Sequence, residues 1–527
     1  MVCCVAAAVA AVVLSTSNAQ AAGRRAHISD DLRGQLAAGN PTDIDVILTG
    51  THAGVEAIAA RHGLRVRRHL KTGAVVEVPA GRLSTLAEDP EVDQLSGDHP
   101  VRATLEVATA AIGADQAWAG DVAAGMAGVT GHQVGVAVID SGVANVPALG
   151  GRLVARLDFT PEGRIGRGQV DDEYGHGTHV AGIIAASSPN LTGVAPRAHI
   201  VSLKVLRADG SGQTSDVIEA IDWAIEHTDQ YRLRVINLSL GHPVAESWQD
   251  DPLCQAVERA YRAGLVVVAS AGNLGRLPDG RRVAGGITSP GNSPFAITVG
   301  ALNTHGTAFR SDDEVASYSS TGPTRFDRLI KPDLVAPGTR IRSLLAPDST
   351  LGRAHPELVI DTGRTPQLEL SGTSMAAAVV SGAAALVLEA APATSQSELR
   401  RRLQKTASRV GTSGLLQTGA GSLNVVAALQ FPSSVAVTIA GEAQVGWGYW
   451  FSAKSVLALD GQSLTVDVLS SGPGETVIWG ADDAIIWSDD VIQVTDDAII
   501  WADNVVCVND YAIIWSDTTI GSDLVSR

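Results

Sequence analysis

Five apolar runs alternate with stretches of helical length through the middle of this chain, and that alternation constrains the fold most. Val134–Ile139, His199–Leu206, Arg234–Leu240, Leu265–Ser270 and Ala296–Val299 are rich in β-forming residues. Their apolar residues are consecutive, as in strands buried on both faces. Ala181–Ala186, Ser215–His227, Pro252–Ala263 and Ser374–Ala390 have helical length or period. The pattern predicts an α/β fold, a mostly parallel sheet covered by helices on both faces. In such sheets, functional side chains gather at the carboxyl ends of strands and at adjoining helix starts.

Three short segments stand where that rule asks for chemistry. Val-Ala-Val-Ile-Asp-Ser-Gly surrounds Asp140 at the end of a buried run. Gly-His-Gly-Thr-His-Val-Ala-Gly surrounds His176, and Ser-Gly-Thr-Ser-Met-Ala surrounds Ser374 at the start of an Ala-rich helix. A serine hydroxyl attacks an amide only if an imidazole takes its proton and a carboxylate holds that imidazole in the right tautomer. One Asp, one His and one Ser in these contexts are worth more together than any one alone. Taken singly, Asp140 reads as a turn residue and Ser374 as a helix N-cap.

The segments, in the order Asp, His, Ser, resemble those of the subtilisin-like serine proteases over roughly residues 106–430. The resemblance implies that Asp140 orients His176 and that His176 is general base to the nucleophile Ser374. His179 then reads as a packed structural histidine. It implies that Asn273, in Ser-Ala-Gly-Asn, donates to the oxyanion together with the Ser374 N–H. It implies also that Ser239-Leu240-Gly241 pairs with an extended substrate, and that Ser270-Ala271-Gly272 walls the primary specificity pocket. Small residues there suggest an open pocket for medium to large apolar side chains. One departure from the family pattern is Ala378, where relatives usually carry Pro; it is expected to shift helix placement slightly and leave activity in place.

The 527 residues imply two to four domains. A net charge of −17 argues against a nucleic-acid partner, because phosphate binding needs a basic face. Residues 471–527 hold eleven acids and one base, so about ten of the seventeen charges lie in that tail.

Residues 1–22 read as a secretory signal peptide, with Ala19-Gln20-Ala21 as a small-residue cleavage site, although the usual basic start is missing. No other stretch reads as a membrane span. Of the cysteines, Cys3 and Cys4 leave with that peptide, and Cys254 and Cys507 are expected as free buried thiols.

Residues 28–103 form a small unit with strands near 45–49, 74–78 and 92–95 and helices over 55–62 and 82–88. By pattern and position this α+β unit resembles the inhibitor-type propeptide of secreted subtilases. Such a unit templates folding and blocks the cleft until it is cut, at a bond somewhere in 98–110. Residues 432–470 read as a β-rich linker or small domain. Residues 475–523 repeat in sevens, Asp482-Asp-Ala-Ile-Ile-Trp-Ser being one unit, and read as short strands joined by tight turns. Trp487, Trp501 and Trp515 then fall on one face.

No Cys or His pair has zinc spacing and no helix-loop-helix calcium loop is present, so no metal ligand is assigned. The resemblance allows structural calcium at a site the sequence does not locate. No cofactor is required. The reading is a secreted serine endopeptidase made as a zymogen. Its partners are protein or peptide substrates and its own propeptide, and the ligand of the tail is unknown. Two alternatives stay open: a binding or scaffold protein on an inactive fold, and a narrow-specificity maturation protease.

Overall fold

In the computed structural model of the chain, the described residues are 26–29, 32, 33, 36 and 43–411, then 413–431 and the strands after it. Residues 99, 104–108, 121–126, 165–169, 278–280, 309 and 361–364 fall outside this description. Residues 1–22, expected as a signal peptide, and Cys507 also lie outside the described residues, and Cys3 and Cys4 with the former.

The chain divides into two compact units, residues 1–98 and 99–527. In the first, five strands are ordered His27–Ile28, Gln94–Gly97, Ile44–Thr49, Gly73–Val78, Arg65–Leu70. The helices His52–His62 and Leu83–Ala87 add Val55, Ile58, Leu83 and Leu86 to a core shared with Val46, Leu48, Val76 and Leu95. Thr51 caps the first helix by accepting from the Gly54 N–H, and Gly63 ends it at φ 63°. The strand Arg65–Leu70 was not anticipated; its Arg65-Val-Arg-Arg-His-Leu sequence carries charge on an edge strand, where charge blocks further pairing.

The second unit is built on an eight-stranded sheet. Along it run Glu314–Val315, Ala296–Asn303, Val266–Ser270, Leu233–Leu238, Gly135–Asp140, His199–Lys204 and Leu153–Asp158, while Leu334–Pro337 also pairs with Ala296–Asn303. All these pairings are parallel except that of Glu314–Val315. The first strand, Gly135–Asp140, sits centrally, between His199–Lys204 and Leu233–Leu238. The chain thus winds out in one direction, returns, and winds out in the other. A crevice opens at the carboxyl ends of strands where such winding reverses.

The helix Thr373–Ala390 fills the middle of this unit. Ala376, Ala377, Ala378, Val379, Val380 and Ala383 are all fully buried in the main core. Small side chains let it approach closely: a Cβ on Gly382 would stand 2.6 Å from Val194 Cβ. Eighteen residues at mean hydropathy 1.6 are long and apolar enough to cross a membrane, which corrects the expectation that no stretch beyond the leader qualifies. The helix is 89% buried inside the protein, so composition that resembles a span here reflects a core position.

After residue 430, Val437–Ile439 and Glu442–Gln444 pair antiparallel. This hairpin is tied to the rest of the second unit: Gln116 Nε2 donates to Thr438 O at 2.9 Å, and Glu442 accepts from the Arg310 N–H at 2.6 Å. Leu457–Asp460 and Ser463–Val466 form a second hairpin. In the tail, Ile485–Val491, Ile499–Val505 and Ile513–Trp515 lie parallel. Trp487, Trp501 and Trp515 share one register position. Pairing therefore steps by fourteen residues, two of the seven-residue units. The residues between these strands, where the tight turns are expected, lie outside the described residues.

Candidate active site

Asp140 ends the central strand, as its run of buried residues predicts. Its carboxylate faces the ring of His176, with Nδ1 2.7 Å from Oδ1 and 2.9 Å from Oδ2. A carboxylate only accepts, so Nδ1 carries the proton and Nε2 presents its lone pair on the far side. Oδ1 also accepts from the Ser141 N–H at 2.7 Å. Both side chains of the pair are fully buried.

The helix His176–Ala185 begins at the histidine itself, ahead of the helical stretch Ala181–Ala186 read from the sequence. Gly175 makes this possible at φ 104°, and a Cβ there would lie 2.8 Å from Ser349. Gly177 is required for proximity instead: a Cβ would lie 2.1 Å from the Gly142 carbonyl oxygen.

Asp172 is a residue the sequence did not single out. It is buried and takes four hydrogen bonds, from Ser141 Oγ (2.7 Å), Gly175 N (2.7 Å), Thr178 N (2.8 Å) and Thr178 Oγ1 (2.6 Å). Ser141 Oγ in turn accepts from the Gly177 N–H at 2.9 Å. This network joins the end of the Asp140 strand to the start of the His176 helix. Burial pushes the Asp172 carboxyl above its ordinary value, against the pull of those donors. Its only sequence trace is a polar Asp-Asp-Glu-Tyr run before Gly175.

His179 is fully buried, and its Nε2 donates to the Leu368 carbonyl at 3.1 Å. Burial, and then the neighbouring His176, lowers its pKa to about 3, so it stays neutral. It is packed, as expected.

Ser374 is the second residue of its helix; Gly372 is the N-cap and makes no side-chain cap bond. The hydroxyl therefore does not cap the helix. It donates to Ser239 O at 3.1 Å, while Ser239 Oγ donates to Ser374 O at 2.6 Å. Asn273 Oδ1 accepts from Thr373 N (3.0 Å) and Thr373 Oγ1 (3.1 Å). Because the Thr373 N–H must donate, the amide oxygen is fixed on that side and the NH₂ faces away from it. Thr373, like Asp172, was missed: a threonine beside a serine carries no motif of its own. Ala378 is buried within a helix that runs unbroken to Ala390.

Leu240–Gly241 forms a separate short strand after a one-residue break at Ser239. The segment Pro100–Ala103 pairs antiparallel with it on one edge and with Ser211–Gln213 on the other. Ser270 ends the strand Val266–Ser270, and the N–H of Gly272 (φ 102°) donates to Thr373 Oγ1 at 3.1 Å. Ala271 N donates to Val299 O at 3.0 Å. Ser239, Ser270 to Asn273 and Thr373-Ser374 are therefore linked around one point at the carboxyl ends of adjacent strands.

Residues 131–424 match the subtilase family. The chain belongs to the subtilase family. It is 35% identical over 355 residues to the serine protease AprX of Bacillus subtilis, covering 66% of this chain and 76% of that one. It is 34% identical over 385 residues to subtilisin E of the same species, covering 71% and 85%. The crystal structure of fervidolysin from Fervidobacterium pennivorans superposes with a TM-score of 0.60 at 23% identity. That match covers 79% of this chain and 64% of fervidolysin, slightly under two thirds of its length, and speaks for the fold. This subtilase is a serine endopeptidase of the subtilisin kind.

Two other groupings were weighed. Cys254 is buried near Asp251 Oδ2 (3.5 Å) and Asn292 Oδ1 (3.2 Å). Burial, reinforced by Asp251, pushes its thiol well up, which removes it as a nucleophile. Among the described residues one grouping could hold a metal ion. His52, Glu56 and His69 of the first unit have ligand atoms within 4.8 Å of one another. Sequence reasoning missed it because His69 comes from a strand beside the helix that carries the other two.

Proposed function

We propose that this subtilase is a secreted endopeptidase made as a zymogen, acting through an acyl-enzyme. The observation that carries the reading is the Asp140–His176 pair at 2.7 Å, in a chain whose Ser374 opens a buried helix. Asp140 holds the Nδ1–H tautomer and steadies the imidazolium as it forms. His176 takes the proton of Ser374 as its Oγ attacks the carbonyl, then delivers it to the leaving amine. The Asn273 NH₂ and the Ser374 N–H, near the positive end of the helix, stabilise the oxyanion. Water resolves the ester with His176 again as base. Nucleophile, base and orienting group are all side chains, so the reading assigns no cofactor to the reaction.

Substrate is held as an added strand between Leu240–Gly241 and Ser211–Gln213, and Ala271–Gly272 walls the pocket next to the cut bond. The pairing of the chain's own Pro100–Ala103 in that place supports the zymogen reading, with residues 28–103 as intramolecular inhibitor. The apolar leader supports secretion, and the acidic tail is assigned to docking or surface retention. Structural calcium is left without a site.

A serine-directed fluorophosphonate tests the reading. The mature protein is expected to gain one label on the peptide containing Ser374 and to lose casein hydrolysis in proportion. Absence of label in protein that is folded and processed overturns it in favour of a scaffold.

A further inference from the structure

We propose that the first unit carries a site for a divalent transition-metal cation of the zinc kind, held by His52, Glu56 and His69. The site goes beyond the peptidase reading and does not rest on it.

The fold of this unit brings the three side chains together. His52 and Glu56 stand at i and i+4 on the helix His52–His62, so they share one face. Gly63 ends that helix and turns the chain into the strand Arg65–Leu70. Near the end of the strand, His69 comes back to the first turn of the helix. Its ring stacks on that of His52, with centroids 3.8 Å apart and planes inclined by 15°. An irregularity in the strand makes this possible. Val66 is level with Val76, the register then shifts before Arg68, and His69 is level with Ala74. Without the shift, Arg68 would stand opposite Ala74. Paired residues share a face, and Ala74 and Val76 belong to the core that Val55 and Ile58 of the helix cover. The extra residue therefore brings His69, in place of Arg68, to the helix side.

The donor set suits zinc. Two imidazoles and a carboxylate are ligands that zinc takes, whereas calcium and magnesium call for oxygen ligands. The ligand atoms of the three residues lie within 4.8 Å of one another. Bonds of about 2 Å to a tetrahedral ion set donors roughly 3.3 Å apart, so small side-chain rotations close the set. His69 Nε2 is 2.7 Å from Glu56 Oε1 and donates to it, since a carboxylate only accepts. His69 Nδ1 is buried and has no hydrogen-bond partner among the described residues. A metal that takes Nε2 in place of that hydrogen bond leaves the ring proton on Nδ1, a tautomer that no existing bond opposes. Glu56 supplies the negative charge that offsets the positive end of the helix beside His52. His52 and Glu56 are exposed, which leaves a fourth position open to water. An ion held this way ties the start of the helix to the strand and stabilises the first unit.

The test uses full-length Ser374→Ala protein stripped of metal with EDTA, so that the first unit stays on the chain whether or not the peptidase reading holds. Zinc is titrated in competition with a chromogenic chelator, and hydrogen exchange is followed by mass spectrometry with and without zinc. The expected result is one tightly held zinc per chain, with exchange slowed most at residues 52–70. Calcium in excess, which the acidic tail would take, leaves that zinc in place. His69→Gln and Glu56→Gln in the same background each weaken binding at least about tenfold, because even groups that only support metal ligands are worth about 10- to 100-fold. Failure to compete with the chelator overturns the proposal. So do zinc held equally by both variants, displacement by calcium, and protection confined to residues outside the first unit. The exchange pattern of the unsubstituted site decides the matter even where a variant fails to fold.

Discussion

Asn273 is a common turn residue whose proposed oxyanion role depends on its neighbours. Thr373 fixes its amide oxygen with two hydrogen bonds, which orients the NH₂ that the proposed mechanism uses. Asn273→Ala is expected to lower kcat by about 10²- to 10³-fold with little change in KM. Steady-state kinetics on a peptide amide check this, and a loss confined to KM would contradict it. Burial gives His179 a different signature. Its pKa is about 3 folded and 6.5 at the ordinary value, so between those limits the unfolded chain binds a proton that the folded one does not. Stability from neutral His179 is full above pH 6.5 and is lost as pH falls towards 3. The slope is at most about 1.4 kcal/mol per pH unit. His179→Gln should flatten that acid limb in urea unfolding; an unchanged slope would contradict the assignment. Asp140, His176 and Ser374 stood out because each lies in a segment that resembles the family's, and the three segments support one another. Asp172 and Thr373 did not, because they act by accepting from or donating to ordinary backbone and hydroxyl groups, which leaves no pattern.

At the scale of elements, the site depends on how closely the His176 helix meets the Asp140 strand. Gly177 sits against the Gly142 carbonyl, where a Cβ would be 2.1 Å away. Gly177→Ala must push the helix off the strand. A displacement of about 1 Å costs roughly 10²-fold in rate. The expected result is that loss in kcat/KM with the circular dichroism spectrum retained; wild-type kinetics would contradict the packing argument. A second element test lies in the buried Lys331–Asp333 pair at 2.8 Å, which also involves Arg400. Asp333→Ala leaves buried cations without their carboxylate and is expected to cost about 3–5 kcal/mol in urea unfolding. Strands buried on both faces were readable from continuous apolar runs. Leu153–Asp158 and Arg65–Leu70 were not, since each mixes charge into an edge strand and imitates a loop.

Across the whole molecule, alternation predicted a parallel sheet but not its order. Crossover connections permit many orders, and only packing places Gly135–Asp140 at the centre. The pairing of Pro100–Ala103 with strands more than a hundred residues away was equally unreadable, because its register is set by edges the segment does not contain. The tail's seven-residue repeat was visible, while its fourteen-residue parallel pairing was not. Residues 471–527 carry about ten of the net negative charges, and every residue assigned to the site precedes them. Deleting them is expected to leave kcat/KM on a small peptide within twofold, and a larger loss would place the tail in catalysis.

The most direct test of the account is hydrolysis of unfolded casein by wild type beside Ser374→Ala. The account predicts that wild type cuts casein and that the variant loses at least about 10⁴-fold in turnover. Equal rates for the two proteins would contradict it and remove Ser374 from the chemistry.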